Sequence, residues 1–190
     1  MFIKATHAAK LFKLAYKGVG LRVGKDDQGI YLTGRRWYMY IFSENMPKEV
    51  LGAIISQTGE IPAVGEQKLY SKGSIQTEMF ETRYREDAYK RALEAQAEGE
   101  VLRKTQVILL DSDEKPFAVY RSSENLYAVP YDYSIMCSPL NCEEQEDMQG
   151  CFAKDRWIYW ISDYMAFGLA PYEDEELDET LDQFWKAEIL

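Results

Sequence analysis

Histidine is almost missing from this chain: His7 is the only one in 190 residues. A Ser–His or Cys–His nucleophilic mechanism would have to run through that position, which reads as the first turn of a helix. Cysteine is nearly as scarce. Cys137, Cys142 and Cys151 make an odd set with C-x4-C-x8-C spacing. That is neither a disulfide framework nor the close pairing of a zinc site, so small buried residues are the expectation. Long apolar runs are also lacking, and none approaches the roughly 20 residues of a membrane helix. Lys4, Lys10 and Lys13 interrupt the apolar stretches near the start, unlike a secretory leader. Gly18-Val19-Gly20-Leu21-Arg22-Val23-Gly24 has the glycines of a phosphate loop but follows a helix instead of a strand, so it does not fit a dinucleotide site. These absences lead to the expectation of a cytoplasmic protein with no membrane association and no cofactor.

Positive charge is the scarce sign in the second half. Residues 1–105 carry 17 Lys+Arg and 13 Asp+Glu, a net of +4; residues 106–190 carry 5 and 19, a net of −14. Such asymmetry bears on association and solubility more than on fold. A pI near 4.7 argues against phosphate binding by the whole protein, which needs clustered Lys and Arg. An acidic surface suits a basic protein partner instead, and nucleic-acid-binding proteins are a large class of those.

With 46% hydrophobic and 14% aromatic residues, the chain can bury a core. Its punctuation predicts an α+β protein: two small antiparallel β-meanders with about five flanking helices. Thr6 can cap a first helix over 7–17 with Leu11, Leu14 and Ala15 inward and Gly18 as its stop. The extended runs 21–24, 30–33 and 37–42 follow, joined by Gly- and Asp-containing turns. Pro47 suits the first turn of a helix to about Gln57, with Val50, Ile54 and Ile55 inward and Gly59 at its end. Residues 60–76 read as loop with a short strand at 68–71, and 78–98 as a helix rich in Glu, Ala, Arg and Lys with a solvated face. A second meander is expected at 106–110, 117–121 and 126–129. Residues 131–140 read as extended or irregular, 143–148 as a short acidic helix, and 156–162 as a strand on its aromatic and β-branched content. The last helix, about 174–187, places Leu177, Leu181, Phe184 and Trp185 on one face. Asp27–Leu32 can be laid beside Glu114–Val119 as a weak internal duplication. These readings divide the chain into a mildly basic unit (1–76), a linking helix (77–99) and an acidic, aromatic-rich unit (100–190), which the sequence leaves free to pack together.

Three constellations bear on function. Glu173, Asp174, Glu175, Glu176, Asp178, Glu179 and Asp182 crowd the last helix, more carboxylates than capping or the helix dipole requires. With Glu143, Glu144, Glu146, Asp147 and Tyr172 they form the expected partner-binding set, tyrosine being a frequent anchor at interfaces. Second, the apolar run Val107–Leu110 ends in Asp111-Ser112-Asp113, a pattern that can hold a divalent metal in phosphoryl or sugar transfer; Glu114-Lys115-Pro116 and the returning strand make it read first as a hairpin turn. Third, Lys10, Lys13, Lys17, Arg22, Arg35 and Arg36 lie near Trp37, Tyr38 and Tyr40, a mixture that can bind single strands, although alternate residues of 36–42 fit a core equally well. The leading expectation is a non-enzymatic acidic binding module, such as a mobile-element inhibitor occupying the nucleic-acid-binding surface of a host nuclease. The alternative is a metal-dependent hydrolase or transferase using Asp111 and Asp113.

Overall fold

A computed structural model describes residues 2–79, 88–138, 148–170, 172 and 174–187. In chain order the elements are α1 (Ala5–Lys17), β1 (Leu21–Lys25), β2 (Gly29–Thr33), β3 (Trp37–Phe42), a 3-10 turn at Ser43–Asn45, α2 (Lys48–Thr58), β4 (Glu66–Ser71), β5 (Ser74–Met79), α3 (Lys90–Glu98), β6 (Glu100–Val101), β7 (Arg103–Leu110), β8 (Pro116–Arg121), β9 (Leu126–Pro130), α4 (Tyr131–Met136), β10 (Gln149–Lys154), β11 (Trp157–Ser162), β12 (Met165–Leu169) and α5 (Glu175–Lys186). The class is α+β, with five α-helices among the described residues.

Both expected meanders are present, β1–β2–β3 and β7–β8–β9, but they differ in setting. The second forms a separate three-stranded sheet; the first lies inside a nine-stranded antiparallel sheet ordered β5-β4-β1-β2-β3-β12-β11-β10-β6. At its centre β3 pairs with β12, from Trp37↔Leu169 to Ile41↔Met165. The large sheet therefore takes strands from both halves of the sequence, with the meanders β1–β2–β3 and β10–β11–β12 set end strand to end strand.

The large sheet is covered on both faces, which explains why Trp37–Ile41 is buried without alternation. One face, carrying Leu21, Leu32, Trp37, Met39, Trp160 and Phe167, packs against α1, α2, α4 and the inner face of the small sheet. The other carries Tyr38, Tyr40, Tyr159 and Ile161 and packs against Ala88, Tyr89, Ala92 and Ala95 around α3. Here the Tyr38 hydroxyl donates to the Ala88 carbonyl at 2.8 Å and that of Tyr89 to the Ser162 carbonyl at 2.7 Å. Gly168 lies under the Tyr38 ring, where a Cβ would collide with it. The small sheet's outer face, Leu109, Phe117 and Val119, packs against Leu177 and Leu181 of α5. The layers thus run α3, large sheet, α1 and α2 with the small sheet, and α5.

Several boundaries depart from the sequence reading. Thr6 lies inside α1, whose N-cap is Lys4 with no side-chain cap. Leu14, expected inward, is 57% exposed, and Ile55 on α2 is 41% exposed; each helix buries a narrower stripe than its apolar residues would allow. Gly59 does end α2, in the left-handed conformation (φ 79°) that glycine tolerates. The helix expected from Glu78 begins later. Glu78 and Met79 are extended and pair with Gln67 and Glu66, so cross-strand pairing overrides helix propensity there; Phe80 and Tyr84 lie outside the described residues. Tyr131–Met136 is helical, not extended, with Pro130 at its N-cap. The short acidic helix expected over 143–148 falls on residues that are largely not described.

Candidate functional site

The acidic helix α5 is built as its sequence pattern demands. Asp174 is its N-cap: the carboxylate accepts the Leu177 N–H at 3.1 Å, satisfying one of the free donors of the first turn. Leu177 and Leu181 are 3% and 7% exposed against the small sheet, and Phe184 is half-buried beside them. Trp185 lies at the rim with the Arg121 guanidinium 5.3 Å from its ring centre. The opposite face carries Glu175, Glu176, Asp178, Glu179 and Asp182, all exposed. At 1.5 Å rise per residue these five span about 10 Å of axis, about one charge per 2 Å; duplex DNA presents one per about 1.7 Å.

Tyr172, expected in the partner-binding set, is half-buried at the approach to α5. Its ring packs on Phe117 with centroids 4.7 Å apart, beneath the Arg36 guanidinium at 4.9 Å. Its hydroxyl donates to Asp111 Oδ2 at 3.4 Å. Tyr172 thus ties the approach to α5 onto the small sheet and supports the acidic face from beneath. Of the other expected residues, Glu173, Glu143, Glu144, Glu146 and Asp147 lie outside the described residues.

Asp111 and Asp113 form the expected hairpin turn between β7 and β8. Asp111 is 9% exposed, and its Oδ1 accepts the N–H groups of Asp113 at 3.0 Å and Lys115 at 2.8 Å. Asp113 turns outward to Lys115 Nζ at 2.5 Å, and that hydrogen bond holds its carboxyl below the usual range. The two carboxylates are thus committed to different partners. Among the described residues no group of three or more His, Cys, Asp or Glu is arranged to hold a metal ion.

The basic and aromatic residues of the first half separate in space. Trp37, Tyr38 and Tyr40 are 3%, 4% and 0% exposed, so their rings are used in packing, as the core reading of 36–42 expects. Lys10, Lys13 and Lys17 lie exposed on α1. His7 and Lys10 border an apolar cavity of about 360 Å³ between α1 and α4, floored by Leu11, Tyr131 and Met136. The sequence reading missed this cavity because α4 was not expected to be helical. Cys137 and Cys151 are buried as reduced thiols, and burial pushes that of Cys151 up to about 12; Cys142 lies outside the described residues.

A second cavity, about 220 Å³, lies beside α5 and is lined by Tyr127, Arg156, Tyr172, Asp178 and Leu181 among others. At its edge Glu100 accepts hydrogen bonds from Asn125 Nδ2 at 3.1 Å and the Tyr127 hydroxyl at 3.3 Å. Burial, then the Glu100 charge, pushes the Tyr127 phenol up to about 12. No helix among the described residues is long and apolar enough to cross a membrane.

No known protein-family model matches this chain, and no curated protein matches it. Among solved structures it is similar to the beta subunit from the DNA polymerase of Streptococcus pyogenes, with 14% identity and a TM-score of 0.34 over 92% of this chain and 66% of that one. It is also similar to the DNA polymerase III beta chain of Streptococcus pneumoniae, with 12% identity and a TM-score of 0.37 over 88% of this chain and 62% of that one. The chain thus spans less than two thirds of either length. At such scores and identities the likeness carries neither activity nor partner over to this chain.

Proposed function

We propose that this is a non-enzymatic, cytoplasmic binding module whose α5 face docks on a basic protein surface. The observation that carries the reading is the density of exposed carboxylates along one face of a single amphipathic helix whose apolar face is already buried. Close to the charge spacing of duplex DNA, the face suits the basic groove of a nucleic-acid-binding protein. The concrete form is an inhibitor of the mobile-element type, occupying the surface through which a host nuclease holds its substrate. Steering between opposite charges speeds encounter, so binding weakens steeply as salt rises.

The test compares the wild-type protein with a variant carrying Glu175→Lys, Glu176→Lys, Asp178→Lys and Glu179→Lys, each immobilised and exposed to lysate of the source cell across a salt series. A basic protein retained by the wild type at low salt, released as salt rises and absent from the variant is the expected result. Equal retention by both proteins, with the variant folded by circular dichroism, would remove α5 as the docking face.

A further inference from the structure

We propose that the cavity between α1 and α4 is a binding site for a small apolar carboxylate. At about 360 Å³ it falls in the range of small-molecule sites, about 300–1,000 Å³, which join an apolar lining to a few polar groups. Its walls come from separate parts of the chain: Leu11 and Leu14 from α1, Pro116 from the start of β8, Ile135 and Met136 from α4. No residue of α5 lines it, so the site is separate from the docking face proposed above.

The apolar surface at this place extends beyond the cavity itself. Leu14 is exposed on its wall. Pro116, also on the wall, stands opposite Leu110 of β7, and Ala118 stands opposite Ile108, so these four share the inner face of the small sheet. Ala118 is sealed in the core, whereas Ile108 and Leu110 are 50% and 62% exposed. An exposed aliphatic ledge that runs into a cavity marks a ligand site, unlike leucines scattered singly over a surface.

The polar groups select the head group. His7, Lys10 and Lys115 line the cavity against one carboxylate, Asp132. A further lysine, Lys104, has its Nζ 5.5 Å from the ring centre of Tyr131, another lining residue. Helix α1 carries Lys10, Lys13 and Lys17 and no acidic residue. A cationic head would meet these lysines, whereas a carboxylate complements them. Lys115 is held by Asp113 at 2.5 Å, so Lys10 is the cation that can turn to a ligand. Its contact with Asp132 is 3.4 Å long, and both side chains are mostly exposed. Such a pair contributes little, so a ligand carboxylate can replace Asp132 at Lys10 while its apolar body displaces water from Leu11 and Met136. The buried Nδ1 of His7 has no hydrogen-bond partner among the described residues, a polar atom of a lining residue that the fold itself leaves unpaired.

Isothermal titration calorimetry of the full chain at low salt tests this with octanoate, hexanoate and octan-1-ol as probes. Octanoate is expected to bind one to one with a dissociation constant in the millimolar range or below. It should bind about tenfold or more tighter than hexanoate, because two further methylenes are buried. Lys10→Glu is expected to weaken octanoate by about tenfold and to leave octan-1-ol within about twofold. Asp132→Asn, which removes the competing carboxylate, is expected to tighten octanoate by about threefold. Leu14→Asn, a change at an exposed position, is expected to weaken both octyl probes by about fivefold or more. The absence of saturable octanoate binding up to about 10 mM overturns the proposal. So do equal affinities for hexanoate and octanoate, or octanoate binding that neither Lys10→Glu nor Leu14→Asn changes.

Discussion

Replacing Glu179 by lysine should stabilise this protein while removing its proposed binding. Glu179 sits mid-helix on α5 with Glu175 at i−4, Glu176 at i−3 and Asp182 at i+3, and all four side chains are exposed. On a helix surface each like-charge pair at these spacings costs about 0.2–0.5 kcal/mol, and an opposite pair returns a similar amount. Lysine at 179 converts three repulsions to attractions, a sum above about 1 kcal/mol before solvent screening. Exposed pairs deliver the lower part of such sums, so about 1 kcal/mol is the working figure. In a chain of this size that raises Tm by about 2–4 °C. The assay is thermal unfolding by circular dichroism of wild type, Glu179→Gln and Glu179→Lys, at low salt and at about 1 M, where the Debye length falls to about 3 Å. The expected order is wild type, then Gln, then Lys, with the spread collapsing in high salt. A Tm that is unchanged or lowered by lysine, or a gain that persists at high salt, refutes the picture of a self-repelling face. Loss of partner binding in the variant that gains stability would identify the repulsion as a cost of function.

Three other outcomes check the packing and the titrations. Leu181→Ala should cost about 2–5 kcal/mol in urea unfolding, because the side chain is 7% exposed between α5 and the small sheet; a loss below about 0.5 kcal/mol, as at a surface position, would mean that α5 is not docked there. Cys151, 4% exposed with its thiol pushed up to about 12 by burial, should resist a disulfide reagent at pH about 8 in the folded protein and react on unfolding; prompt labelling of Cys151 in the native state, located by mass spectrometry, contradicts its burial. The phenols of Tyr127, Tyr133 and Tyr159 are pushed up to about 12, chiefly by burial. An unfolded tyrosine ionises near pH about 10, so their contribution to stability is intact below that value and is lost as pH rises toward about 12. Titration by tyrosinate absorbance should therefore show a late fraction that shifts down to about 10 when the protein is unfolded first in urea.

The elements legible in the sequence were those whose signals are local. The meanders announce themselves through Asp- and Gly-containing turns; Asp26, for instance, accepts the N–H groups of Gln28 at 2.9 Å and Gly29 at 2.6 Å. Helix α5 announces itself through its spacing, because it covers one outer layer and has a single buried stripe. The illegible elements were those defined by partners far away in sequence. Strand β12, Met165–Leu169, is buried on both faces, so no alternation marks it, and its pairing with β3 joins segments more than a hundred residues apart. The Glu78 and Met79 end of β5 looks helical until β4 lies beside it. Helix α4 has six residues, too few for a period to show. The same limit governed the site: the acidic face was readable as a stripe, whereas the inward role of Tyr172 depends on Phe117, Arg36 and Asp111 meeting it.

The placement of the carboxylates on α5 is not accounted for by the needs of the helix. Capping is met by Asp174, and the helix dipole rewards negative charge only within the first turn, where Glu175, Glu176 and Asp178 already sit. Glu179 and Asp182 lie beyond that reach. Several lysines that might have offset the field are paired elsewhere: Lys68 with Glu60 at 2.6 Å, Lys154 with Glu98 at 2.7 Å, Lys115 with Asp113 at 2.5 Å and Lys10 with Asp132 at 3.4 Å. Helix α1, whose Lys10, Lys13 and Lys17 are exposed, packs on the core of the large sheet, whereas α5 packs on the small sheet's outer face. Helix α5 is fixed to an outer sheet face by Leu177 and Leu181. A helix held in this way keeps its carboxylates in fixed register without ordering them at the moment of binding. Such preorganisation lowers the entropic cost of docking on a basic surface, and it predicts that loosening α5 through its buried leucines weakens binding even with every carboxylate retained.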